Sequence, residues 1–280
     1  MGVVLCLLAA LAAGTGFRTV AIGGEQTPTY SEASIVNAAS NVAGALAPNT
    51  FATIYGTNLS YATRVIAPED IRGGRLPVEL GGVHVTVGGV PAVLYYVSPG
   101  QVNLLIPSMS VVRFPEANVL LSVDGKSGPA VRVKLQDAAP ALFQWEGDTV
   151  VATRPDWSLI NAAAPARPGD YVILFATGLG ETEPEAVWGQ APQAAAPLRR
   201  MKEFSLMVGN APLEADRVLY AGAAPGFAGL YQINLKLPDK LADDPEIRIA
   251  LGGQISPAGL RLPVRGSAAP AAQPRPAGAR

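Results

Sequence analysis

Apolar positions along this chain recur at every second residue over short stretches. In Val83-His84-Val85-Thr86-Val87 the set is Val83, Val85 and Val87, in Gln101 to Ile106 it is Val102, Leu104 and Ile106, and in Glu246 to Leu251 it is Ile247, Ile249 and Leu251. A period of two marks a strand with one face packed and the other in water. Strand-like runs follow one another at intervals of roughly 10–15 residues, separated by Gly, Pro, Asn and Asp. Only Ser158 to Ala166 and Asp239 to Asp243 carry a brief helical pattern. The pattern predicts an all-β protein.

Three phrases recur in the same order about 120–130 residues later. Ala47 to Leu59 (APNTFATIYGTNL) returns as Ala166 to Leu179 (ARPGDYVILFATGL). The stretch from Val85-Thr86-Val87-Gly88-Gly89 to Gln101-Val102-Asn103-Leu104 returns from Leu206-Met207-Val208-Gly209-Asn210 to Gln232-Ile233-Asn234-Leu235. Gly128 to Leu135 is echoed by Ser256 to Val264. Each repeat has the length of one immunoglobulin-like sandwich. Two tandem sandwiches are expected, over residues 33–138 and 139–265, with Val87 superposing on Val208 and Asn103 on Asn234. The junction Ala139-Pro140-Ala141-Leu142-Phe143-Gln144-Trp145 is too apolar and too restricted by Pro140 for a free linker. A fixed joint follows, with Leu142 and Phe143 on opposite faces of a strand.

The ends read differently. Val3 to Ala13 is an unbroken apolar run of the length of a signal-peptide core, shorter than a membrane span, followed by Gly14-Thr15-Gly16. Residues 1–24 are therefore expected to be a signal peptide, although only Met1 and Gly2 stand where a basic segment usually opens such a signal. A buried first strand and a lipid anchor at Cys6 are the competing readings. Residues 266–280 are mostly Ala, Pro and Gly and are expected to form a disordered tail.

Five phrases also carry a resemblance: Val36-Asn37-Ala38-Ala39-Ser40, Ser98-Pro99-Gly100-Gln101-Val102-Asn103, Ala139-Pro140-Ala141-Leu142-Phe143, Thr177-Gly178-Leu179-Gly180-Glu181-Thr182 and Gly229-Leu230-Tyr231-Gln232-Ile233-Asn234. Taken in order, they resemble an uncharacterised C-terminal domain family of secreted soil-bacterial proteins, built of tandem IPT/TIG-type Ig-like domains. The resemblance runs from about Ile35 to Val264. It implies an extracytoplasmic, non-enzymatic module and brings no catalytic or ligand residues. Asn49 and Ala141 depart from it, standing where the family usually has glycine; a left-handed turn tolerates Asn49.

Composition narrows the chemistry. With 21 basic and 22 acidic side chains the formal charge is −1, which excludes a polybasic nucleic-acid or membrane-surface binder. One histidine, His84, and one cysteine, Cys6, leave no zinc site and no disulfide. His84 is expected on the polar face of its strand rather than in a catalytic triad. Glu181, Glu183 and Glu185 cluster in a loop, suited to solvent, to calcium or to a glycosidase pair, with Trp188 nearby. Tyr95, Tyr96, Trp145, Trp157, Trp188 and Tyr220 are candidates for a sugar-stacking platform. The duplicated Gln101-x-Asn103 and Gln232-x-Asn234 present two amides on one face, as strand-end locks or as a duplicated ligand groove. Asp243, Asp244 and Glu246 read as a loop.

The resulting expectation is a secreted or cell-surface, non-enzymatic protein with no catalytic residue, cofactor or metal and no transmembrane segment in the mature chain. It would bind a polysaccharide or a cell-surface protein and no nucleic acid, with Glu181, Glu183, Trp188, Tyr95 and Tyr96 as ligand contacts. A structural spacer or assembly subunit stands as an alternative. A weak carbohydrate-active enzyme using Glu181, Glu183 or Glu185 is the other.

Overall fold

The computed structural model describes residues 27–108, 115–209 and 211–267. The expected signal peptide, Cys6 and all but the first two residues of the expected tail lie outside them. Gly266 and Ser267 still bond to the body, through Asp243 Oδ1 (2.7 Å) and the Leu241 carbonyl (3.2 Å).

The chain is all-β and forms two Ig-like β-sandwiches. In the first, one sheet runs Val42–Ala43, Ile35–Asn37, Phe51–Tyr55, Gln101–Leu105, Val93–Ser98 and Arg64–Val65. The opposing sheet runs Lys126–Ser127, Glu116–Val123, Val83–Val87 and Glu79–Leu80. In the second sandwich the sheets are Ala141–Leu142, Tyr171–Thr177, Tyr231–Lys236, Val218–Ala223 and Ala196–Pro197, and Ala211–Pro212, Phe204–Val208, Ile247–Leu251 and Gln254–Ile255. The central strands of the two share one plan, down to a bulge. Asn103 lies between Thr53 and Tyr96, and Asn234 between Ile173 and Tyr220, each tyrosine preceded by a register shift. Val87 and Val208 each close a strand against the same neighbour, opposite Val119 and Ile247.

Each sandwich buries its own core. Ile54, Val85, Leu94, Val102, Leu104 and Leu121 fill the first, and Leu142, Leu174, Val208, Ile233, Leu235 and Ile249 the second. The outer sheets keep the alternation that the sequence shows: His84 is exposed between buried Val83 and Val85 and faces Glu79 at 3.2 Å. Gln101–Leu105 departs from expectation, because all five of its residues are buried and its polar face does not meet water. The cause is a third apolar layer between the inner sheets. Phe51, Val93, Tyr95 and Leu105 of the first sandwich meet Phe143, Ile173, Phe175, Ala228 and Leu230 of the second. A sheet covered on both faces loses its polar stripe.

Polar contacts lock this seam. The Phe51 amide donates to Thr177 Oγ1 (2.8 Å), whose hydroxyl donates to the Gly229 carbonyl (3.0 Å). Asn37 Nδ2 donates to the Ala139 carbonyl (3.1 Å). At Gly178 and Gly180 the chain turns with φ of 75° and 71° directly against the linker, where any Cβ would run into the carbonyl oxygens of Ala139 and Asp137. Leu142 enters the second core while Phe143 enters the seam, its ring 6.3 Å from Phe51. Asn49 takes the left-handed conformation, at φ 56°.

Neither helical expectation holds. Ser158–Ala166 is a turn, with Asn161 Oδ1 accepting the Ala164 amide (2.8 Å) and Ala166 bridging to Val264. In the second segment Asp243, together with Asp244 and Glu246 beyond it, accepts backbone N–H groups of Gly266, Val264 and Gly259, which fixes a loop.

Truncation of Phe143 tests the joint. Phe143→Ala is expected to cost about 3–5 kcal/mol, as for a buried aromatic. Calorimetry should show one transition for the intact protein and a separation of the two sandwiches in the variant. Two independent transitions in the intact protein would show that the seam does not couple them.

Candidate functional site

Of the residues expected to contact a ligand, Glu181 and Glu183 come together with Glu185, around a cation of the protein itself. Arg199 pairs with Glu181 through Nη1, with Glu183 at 3.5 Å and with Glu185 at 3.7 Å. Arg199 offsets one of the three negative charges, the loop is exposed, and none of the cluster's members lines the groove described below. Tyr95 is 8% exposed. It lies in the seam, its ring 4.9 Å from Phe51 and its hydroxyl donating to the Ala228 carbonyl (3.0 Å). Burial pushes its phenol well above the ordinary tyrosine range. Tyr96 is half-buried opposite Asn103 on the same sheet. Trp188 is half-buried against the seam and lines a hollow between the sandwiches.

The repeated amide pairs show why one sandwich has an open face and the other does not. In both, the Gln side-chain amide donates to the Asn side-chain oxygen, at 2.9 Å for Gln101 and Asn103 and 2.8 Å for Gln232 and Asn234. Asn103 is 1% exposed and also accepts from Thr53 Oγ1 (3.1 Å). Gln232 and Asn234 instead line a groove of about 370 Å³ with Trp157, Tyr220, Phe227 and Leu230. The difference follows from a staggered seam. By strand register Phe51 corresponds to Tyr171 and Tyr55 to Phe175, yet Phe51 and Phe175 are buried while Tyr171 and Tyr55 are exposed. The first sheet packs with one end and the second with the other, so part of the second sheet stays open.

Turn chemistry sets the wall of the groove. Asp156 Oδ1 accepts both the Ser158 amide (3.0 Å) and the Ser158 hydroxyl (2.7 Å), and these bonds hold its carboxyl below the usual range. Between them Trp157 is forced to φ 68°, and it stands 47% exposed. A bulky residue at positive φ is a strained arrangement that recurs at functional sites. Tyr220 is fixed by its hydroxyl, which accepts the Ala196 amide (3.1 Å) and donates to the Ala223 carbonyl (2.7 Å). The hydrogen bond within the pair leaves Gln232 Oε1 as an acceptor and Asn234 Nδ2 as a donor available to a ligand. No carboxylate, histidine or lysine lines it among the described residues. Rings beside amides suit a neutral, hydroxyl-rich ligand. The Pro155-Asp156-Trp157-Ser158 turn was the readable signal for this wall; Phe227 gave none.

No family model matches the chain, and no curated protein matches it. Among solved structures it is similar to a surface glycan-binding protein of Prevotella bryantii, at 12% identity over 85% of this chain and 42% of that one, with a TM-score of 0.27. A second is SGBP-B of the Bacteroides ovatus mixed-linkage glucan utilization locus in complex with a mixed-linkage heptasaccharide (13% identity, 79% and 44% of the chains, TM-score 0.31). The tandem Ig repeats of Dlar match at 12% identity over 79% and 92%, with a TM-score of 0.21. The chain spans less than half the length of the first two.

Spectrophotometric titration tests the placement of Tyr95. A phenol with a folded pKa raised above its unfolded value stabilises the fold below pH 10, and that contribution is lost as the pH rises through the folded pKa. Tyr95 and Tyr231, both raised by burial, are expected to ionise only as the protein unfolds in alkali, with Tyr95→Phe removing one such late phenol. Ionisation of Tyr95 near pH 10 in the folded protein would place it in solvent.

Proposed function

We propose that this protein is a secreted or cell-surface module that binds polysaccharide without transforming it, through the groove of its second sandwich. The observation that carries the reading is Trp157, held at φ 68° and 47% exposed beside the Gln232 and Asn234 amides. An indole wall packs against the apolar face of a pyranose ring while the amides exchange hydrogen bonds with its hydroxyls. The lining offers no acid, base or nucleophile pair for hydrolysis, and the glutamates weighed as such a pair surround Arg199 instead. Among the described residues no helix is long and apolar enough to cross a membrane. Export by residues 1–24, two sandwich units at 33–138 and 139–265, and membership of the IPT/TIG-type family belong to the same proposal.

The interlocked seam favours a second reading, a rigid spacer that holds a neighbouring surface at fixed distance. Isothermal titration against neutral β-glucan and mannan oligosaccharides separates the two. Under the binding reading one of them binds, and Trp157→Ala and Asn234→Ala each weaken it by tenfold or more, about 1.4 kcal/mol, while His84→Ala on the far sheet leaves it unchanged. Absence of binding to every oligosaccharide, or full affinity in Trp157→Ala, would leave the spacer.

A further inference from the structure

A second hollow, of about 590 Å³, opens between the two sandwiches, where the first contributes the loop from Arg64 to Gly81 and the second contributes Trp188 and Gly189. The Leu76 amide donates to the Gly189 carbonyl (2.7 Å) across its base, so the hollow exists only while the joint is closed. Its rim breaks a local rule. Arg72 and Arg75 exchange both backbone hydrogen bonds, at 3.1 and 3.0 Å, around the two-residue turn Gly73-Gly74 with φ of 57° and 75°. A reciprocal pair of this kind points both side chains to one face with Cβ atoms about 5.5 Å apart, and like charges so placed repel.

Two carboxylates, Asp70 and Glu79, line the hollow with these arginines, and neither pairs with Arg72 or Arg75. Asp70 is held by Arg64 (3.1 Å) and by the Ala67 amide (2.9 Å), and Glu79 faces His84 (3.2 Å). Among the described residues Arg72 and Arg75 have no ion-pair partner. A hairpin that sets two arginines side by side with no ion-pair partner of their own gives up stability locally, which is the mark of a site built for something else.

We propose that this hollow is a second binding site, for the carboxylate of an acidic sugar unit in a polysaccharide chain. Arg72 and Arg75 take the carboxylate by paired N–H donation, the geometry for which guanidinium is suited. The Trp188 indole supports the sugar ring. This site is separate from the neutral groove: it shares no lining residue with it and does not depend on that reading.

Titration of the full-length protein with a galacturonate hexamer tests the proposal, with its methyl ester and a polyglutamate peptide as controls. The hexamer is expected to bind, more weakly as salt rises. The ester and the peptide should each bind at least tenfold more weakly. Arg72→Gln with Arg75→Gln should abolish binding while leaving the melting temperature equal or higher, since repulsion is relieved. Trp188→Ala should weaken binding at least tenfold, and Trp157→Ala, in the other groove, should leave it unchanged. Equal binding of the ester or the peptide, undiminished binding by the double arginine variant, a lowered melting temperature in that variant, or loss of uronate binding in Trp157→Ala would each overturn the assignment.

Discussion

The structure depends on one constraint, the burial of two sheet faces against each other. A sandwich normally hides one face of each sheet and wets the other. Here Phe51, Tyr95 and Leu105 on one side and Phe143, Phe175 and Leu230 on the other remove both inner faces from water. Polar groups caught in this layer must then find partners within it. Thr177, Asn37 and Tyr95 do so through backbone carbonyls and amides, and in each case the bond crosses from one sandwich to the other or onto the linker. The hydrogen bonds thereby set the register of a surface that dispersion alone would leave free to slide.

Four of the five phrases that carry the family resemblance converge on that layer. Asn37 and Ala39, Ala139 to Phe143, Thr177 to Gly180, and Gly229 and Leu230 all line or lock it. The fifth, Gln101 to Asn103, lies on the sheet whose Leu105 enters it. The resemblance therefore describes how two sandwiches are joined. The two recesses draw on other stretches, the turn at Trp157 and the loop from Arg64 to Gly81.

The same division explains what could be read from the chain. Outer strands such as Val83–Val87 and Ile247–Leu251 alternate because one side meets water, and repetition of the phrases exposed the shared strand plan. Gln101–Leu105 misled because its Gln and Asn look like a wet face, whereas tertiary packing covers them; a strand carries no local sign of what another sandwich will place over it. The partner of the glutamates is also invisible in sequence. Arg199 is 14 residues beyond Glu185, and only folding brings it among them. Tyr95 and Trp157 are equally plausible as exposed aromatics in sequence. Their fates diverge because the seam takes one end of the first sheet and the other end of the second.

The stagger of the seam has a mechanical consequence. Phe175 and Leu230 are shared between the seam and the wall of the groove beside Trp157. A tensile load applied to a polymer seated there reaches the interlocked sheets without crossing a flexible segment. It is spread over the bonds of Thr177 and Tyr95 and the interdigitated rings together, so that they yield in parallel rather than one after another. Under the proposed binding mode, the pair of sandwiches would act under force as a single stiff bracket, with the binding groove set into the member that carries the strain.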